Sequence, residues 1–173
     1  MKNARVALLM FCSVVTLAAQ GASHECFPLQ LGIMPKVQVK TKDVPIHGLK
    51  LNVWHAESEV VGGVDLGIFS TITTFSGVQI NAANLVQGKA VGLRIGLING
   101  AKDCVGLAVG GLNHTDALMK GVAVGGANIS AEVTGVQIGL FNYCHSMKGA
   151  QIGVVNIIKE KSMPFMPLLN MTW

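Results

Sequence analysis

A glycine followed by a short apolar motif recurs every 14 or 15 residues along most of this chain. Counted from that glycine as position 1, each repeat reads approximately Gly–apolar–x–apolar–Gly–apolar–apolar–Asn, followed by six or seven less regular residues. A degenerate copy ends at Asn170, 14 residues after Asn156. A unit of this size buries its apolar residues only by stacking on its neighbours, so the spacing predicts a repeat array. The repeats begin at Gly48, Gly63, Gly77, Gly92, Gly106, Gly121, Gly135 and Gly149.

Positions 2 and 4 of the repeats are nearly always Val, Leu or Ile, as in Val136 and Ile138, while the residue between them varies. This period of two indicates a strand with one buried face, and β-branched residues favour strands. We expect the apolar pairs to fill a thin core. We also expect glycines to limit each strand to about three to five residues, because they provide sharp corners.

The predicted fold is all-β, with 14–15-residue units stacked in parallel as a β-solenoid or β-roll about 4.8 Å apart. An antiparallel β-meander or a small β-barrel is the alternative, because the 15/14 alternation allows a double unit of 29 residues. The terminal Trp173, with Leu169 and Met171 alternating before it, is also typical of a strand that closes an outer-membrane barrel.

Asparagine occupies position 8 of most repeats, where it can bond its own turn or the asparagine of the next layer. Stacked asparagines stabilise regular β structure, so we predict a structural ladder. Its members are Asn84, Asn99, Asn113, Asn128, Asn142, Asn156 and Asn170.

The first residues have the features of an export signal. Lys2 and Arg5 precede an apolar run over residues 6–19, and small residues follow it. We predict a signal peptide over 1–22, a cap over 23–47, the β repeat array over 48–162 and a capping unit over 163–173. Without the signal, 11 Lys and Arg face 9 Asp and Glu, which argues against nucleic acid as a partner.

Two repeats, GVQIGLFN at Gly135–Asn142 and GAQIGVVN at Gly149–Asn156, carry a resemblance to a family. With the ending Pro164–Trp173, they resemble uncharacterised bacterial surface-repeat proteins with a V-x-G-x-Q-I-G-x-x-N motif. A looser similarity, over Val136–Gln137–Ile138–Gly139, is to the left-handed β-roll heads of trimeric autotransporter adhesins. The resemblance implies an exported β-repeat protein and brings no activity with it.

No spacing in the sequence matches a catalytic, metal or cofactor motif. His114, Thr115 and Asp116 share one loop, and Asp103 and His145 lie in others. We interpret them as ordinary loop residues, although a hydrolase would draw on such groups. The predicted function is a non-enzymatic exported scaffold at the cell surface, in the envelope or secreted, for binding or structural roles; a small outer-membrane barrel is the alternative. The sequence does not identify the partner of this scaffold: an envelope component, a host surface and further copies of the chain are all compatible with it.

The cysteines provide the first test. Cys104 and Cys144 belong to repeats three layers apart, about 14 Å in a simple stack, whereas a disulfide needs Cα atoms within about 7 Å. We expect peptide mapping under non-reducing conditions to recover the two cysteines in separate peptides. A Cys104–Cys144 crosslink would rule out one repeat per layer.

Overall fold

The computed structural model describes residues 27–34, 37–38 and 45–173, and nearly all of this backbone is extended. Four strands are formed: β1 (Phe27–Met34), β2 (Val37–Gln38), β3 (Ile46–Ile158) and β4 (Phe165–Thr172). The all-β class is confirmed. No helix in these ranges has the length and apolar character needed to cross a membrane. The predicted signal peptide, residues 1–22, lies outside the described residues.

The strands form one open sheet in the order β2-β1-β3-β4. Strand β1 runs parallel to the start of β3, with Gln30 opposite Lys50, and β2 pairs antiparallel with β1. Strand β4 pairs antiparallel with the end of β3, with Asn170 opposite Gln151. Among the described strands the two edges, β2 and β4, are not hydrogen-bonded to each other, so the sheet does not close into a barrel.

Strand β3 contains 113 residues and would be about 370 Å long if straight. Instead, residues 14 or 15 apart contact each other. A Cβ atom built on Gly77 would collide with the carbonyl oxygen of Gly63, and one on Gly92 with that of Gly77. Asn84 contacts Asn99 in the same order, so neighbouring repeats run in the same direction at these contacts.

The glycines at position 1 turn the chain without ending the strand. Their φ angles lie between 118° and 150°, a region that residues with a Cβ avoid. The prediction that each strand contains only three to five residues is therefore wrong. The pairing continues through each corner because a glycine there bends the backbone while its neighbours stay extended.

The residues that face the interior are the opposite of those expected. Position 3 is buried throughout, with 2% exposure or less, whereas apolar neighbours such as Ile80 and Ile152 are 42% and 44% exposed. Alternation shows that two faces differ but does not say which one is inside, and a shift of one residue exchanges them. The buried position-3 residues are Lys50, Asp65, Gln79, Arg94, Ala108, Ala123, Gln137 and Gln151.

The apolar core comes from the less regular half of each repeat. Ile72, Val86 and Ala101 occupy position 10, and Phe75 and Met119 lie three or four residues further on in their repeats; all five are buried. The interior is therefore mostly polar at positions 3 and 8, has glycine or asparagine at position 5, and is largely apolar from position 10 onward. Positions 2, 4, 6 and 7 are left to face outward.

We expect Gly121→Ala to lower the free energy of unfolding by at least about 2 kcal/mol, because its φ is +132° and the new methyl group would meet the Gly106 carbonyl. Gly100→Ala is the matched control. Its Cβ would meet chiefly the flexible end of Leu85, at 3.0 Å, and should cost less than about 1 kcal/mol. Urea unfolding measures both. Equal losses would show that the position-1 glycines are not special.

Candidate functional site

A chain of buried amides runs through β3. The Nδ2 of Asn84 donates to the Oδ1 of Asn99 at 2.8 Å, and four further bonds of 2.8 Å continue through Asn113, Asn128 and Asn142 to Asn156. Each donor also bonds the position-4 carbonyl of the next repeat, as Asn113 does with Val124 at 3.0 Å. We call this chain the amide ladder. It satisfies both hydrogens of each donating amide where water is excluded.

The amide ladder requires glycine at position 5. A Cβ on Gly110 would lie 2.6 Å from the Nδ2 of Asn99 and 3.3 Å from the Oδ1 of Asn113. Where position 5 is Asn81 instead, its Nδ2 donates to the Oδ1 of Asn84 at 2.7 Å and begins the ladder.

Asn170 does not extend the amide ladder as predicted. Its Nδ2 donates to the carbonyls of Pro164 and Asn156, and its Oδ1 accepts from the Nζ of Lys161 at 2.8 Å. The reason is direction: β4 runs antiparallel, which places Asn170 opposite Gln151 and not over Asn156. The amide ladder therefore does not continue into β4.

Buried charges replace the amide ladder near the start of β3. Asp65 accepts hydrogen bonds from Asn52 at 2.8 Å, Gln79 at 2.9 Å and Asn81 at 3.1 Å. Lys50 donates to the hydroxyl of Ser70 at 3.0 Å. Burial lowers the pKa of Lys50 to about 8, and the Asp65 carboxylate partly opposes this change.

Arg94 is a further buried cation, 2% exposed. Its Nη1 donates to the carbonyl of Gly100 at 3.0 Å, whereas its Nε has no partner in the described part of the chain. The next two position-3 residues are Ala108 and Ala123. We infer that these small side chains leave room in the interior for the guanidinium, so the two features compensate in volume.

The outward positions form a continuous apolar surface. Positions 2, 4, 6 and 7 of the seven repeats from Gly63 to Asn156 contain only apolar residues and glycine. We call this surface the outer face. Leu97, Leu140 and Val154 protrude furthest, at 71%, 67% and 60% exposure. The charged side chains between 63 and 158 occupy positions 11–15, apart from the buried Asp65 and Arg94.

A shallow groove of about 590 Å³ crosses the outer face. Ile95, Val109 and Val124 of position 4 line it together with Leu97 and Gly111 of position 6. The groove therefore shows that positions 4 and 6 of successive repeats share one surface. Its shallow floor follows from the glycines at positions 5 and 6 in the central repeats.

Strand β4 extends the outer face at one end. Leu169 pairs with Ile152 and Met171 with Ala150, and residues directly opposite in a sheet point to the same side. Leu169 and Met171 are 43% and 42% exposed. The apolar surface thus continues onto the cap.

The residues considered for catalysis lie within strand β3 and not in the predicted loops, because the extended backbone continues through the less regular half of each repeat, and they stand outside this surface. The Nε2 of His114 lies 2.8 Å from the Oδ1 of Asp116, with both side chains about half exposed or more. His145 instead pairs with Glu160 at 3.2 Å, and Asp103 accepts from the backbone of Leu118. Residues 27–34, 37–38 and 45–173 contain no group of three His, Cys, Asp or Glu arranged to hold a metal.

The sequence analysis did not predict the outer face, because it assigned the apolar residues of positions 2 and 4 to the core. The signal that could have found it lies at positions 6 and 7, such as Leu97–Ile98 and Leu140–Phe141. These residues are apolar as well, and one thin repeat cannot bury four apolar positions beside its asparagine.

Cys104 and Cys144 are both free and buried, and burial raises the pKa of the Cys144 thiol to about 12.

No family model, curated protein or solved structure matches this chain. Its function is therefore inferred from the contacts described above.

Lys50 makes stability depend on pH. In the folded chain it loses its proton near pH 8, and in the unfolded chain near 10.5. Between these values the unfolded chain binds more protons, so the contribution of Lys50 to the unfolding free energy rises with pH, by about 3 kcal/mol in total. Below pH 8 this contribution is flat.

The check is urea unfolding between pH 8 and 10.5. Lys50→Met should lose this rise, while the exposed control Lys102→Met should keep it. Parallel curves for wild type and Lys50→Met would contradict the prediction.

Proposed function

We propose that this chain is an exported, non-enzymatic β-solenoid that holds the outer face as a rigid docking surface. The observation that carries the proposal is the unbroken apolar composition of positions 2, 4, 6 and 7 on a stack whose interior is occupied by amides. Contiguous apolar patches larger than a few hundred Å² mark interaction sites on soluble proteins.

The contacts between repeats support the solenoid with 14–15-residue coils. Glycine lies on glycine and asparagine on asparagine at that spacing, as for Gly92 with Gly106 and Asn99 with Asn113. Both columns advance together along the sequence, which is the arrangement of parallel coils. The left-handed glycines at each corner are compatible with a chain that turns once per repeat.

Rigidity follows from the use of the recurring polar residues. The asparagines are engaged in the amide ladder, and Gln151 donates to the Oε1 of Gln137 at 2.9 Å. Because these groups bond each other, they are not offered to a ligand, and the surface that remains for recognition is the outer face. Rigid surfaces lose little conformational entropy on binding.

The exported location rests on the sequence of residues 1–22, with its basic start and apolar run. The resemblance to bacterial surface-repeat proteins supports the same location. Export places the outer face where envelope components or other copies of the chain are available.

The test replaces the three most protruding side chains together, as Leu97→Thr, Leu140→Thr and Val154→Thr. Threonine keeps strand propensity, and exposed substitutions usually change stability by less than about 0.5 kcal/mol each. We expect the wild type in envelope pellets or in species larger than one chain, and the triple variant as single free chains with an unchanged unfolding midpoint.

The matched control carries Lys102→Thr, Lys120→Thr and Lys148→Thr on the charged side and should behave as wild type. Mass spectrometry of the recovered wild type should find an N-terminus between Ala19 and Ser23. A triple variant distributed like the wild type would refute docking through the outer face, and an uncleaved N-terminus would refute the predicted processing.

A further inference from the structure

The outer face is large enough for a stable protein interface. Seven coils about 4.8 Å apart and six residues of about 3.3 Å each give a surface of about 34 by 20 Å, or about 700 Å². The largest apolar patch of a typical monomer is about 300–600 Å², and a standard interface takes about 800 Å² from each partner. Leu169 and Met171 of β4 enlarge the surface further.

The composition of the outer face indicates which kind of partner it binds. Two flat apolar β faces pack about 10 Å apart with interdigitating side chains. Val, Leu, Ile and Gly occupy 22 of the 28 outward positions of the seven repeats, with Ala and Phe at the other six, and this composition suits that packing. Membrane-surface elements instead carry Lys, Arg and Trp beside their apolar residues, and these positions contain none of the three. The favoured partner is an uncharged, flat β face.

The chain itself provides such a face with matching relief. At position 6 the most protruding residues are Leu97, Leu140 and Val154, and small residues stand at Ala82, Gly111 and Gly126. A two-fold axis in the interface plane, across the Gly106–Asn113 repeat, places each repeat over the one equally far on the other side. Leu97 then faces Gly126 and Leu140 faces Ala82 on the partner copy, while Val154 meets Ile68 at the margin of the interface.

We propose that two copies of the chain associate face to face through the outer face, about a two-fold axis at the Gly106–Asn113 repeat. This inference rests on the proposed function and names the partner of the same surface. Such an interface is isologous, since each pair of contacts occurs twice. Pairing protruding with small side chains gives the packing density of a protein interior.

The test exchanges one predicted contact pair. Sedimentation equilibrium of the full chain should give a mass of two chains. Leu140→Ala leaves a cavity opposite Ala82, and Ala82→Leu clashes with Leu140, so each should raise the dissociation constant at least about tenfold. The double variant Ala82→Leu/Leu140→Ala restores complementarity and should return to within about threefold of the wild type. Val109 and Val124 are unchanged in all three proteins, so the groove walls serve as an internal constant.

Other results separate the two proposals. One result is a single chain that floats with phosphatidylethanolamine–phosphatidylglycerol vesicles and no longer floats after the triple threonine substitution. This result would overturn the proposed dimer but support docking through the outer face. A dimer indifferent to Ala82→Leu and Leu140→Ala, or a mass other than two chains, would overturn the two-fold arrangement. Single chains whose envelope retention also ignores the triple substitution would overturn both.

Discussion

The amide ladder is the interaction on which the rest of this structure depends. Each buried amide that lost its partner would cost about 1–3 kcal/mol, so the asparagines must stay in register from repeat to repeat. This register requires a constant repeat length and glycine at positions 1 and 5. Gly110 leaves space for the side chains of Asn99 and Asn113, and the position-1 glycines let the backbones of neighbouring repeats approach each other. The hydrogen bonds all point one way along the stack, which allows each to polarise the next.

An interior occupied by amides moves the apolar residues of the same strands outward. A strand presents alternate residues to opposite faces, so burying Gln137 exposes Ile138 and Leu140. Burial from position 10 onward provides the only large apolar core in the described residues. The apolar area of the outer face therefore does not stabilise the single chain, and the proposed dimer would gain about 25 cal/mol for each Å² of it that is buried.

Repeat spacing, strand class and the asparagine register were readable from the sequence because they depend on local periodicity. Which face lies inside was not, since alternation is symmetric and the decision depends on amides bonding across coils. Strand β1 was also missed as a repeat: Leu29–Gln30–Leu31–Gly32 has the apolar–x–apolar–Gly form, but Gln30 precedes Lys50 by 20 residues and breaks the period. The reversal at Asn170 depends on a turn that the repeat pattern does not contain.

The outermost described strands of the sheet, β2 and β4, are short or kinked. Exposed strand edges recruit further strands unless they are short, kinked or interrupted by proline. Strand β2 is only two residues long, and β4 carries Pro167 followed by Leu168 with a φ of 69°. Kinking at Leu168 coincides with a register shift against Gly153. These features disfavour the addition of a further strand at β4, whereas the outer face leaves a large apolar area exposed.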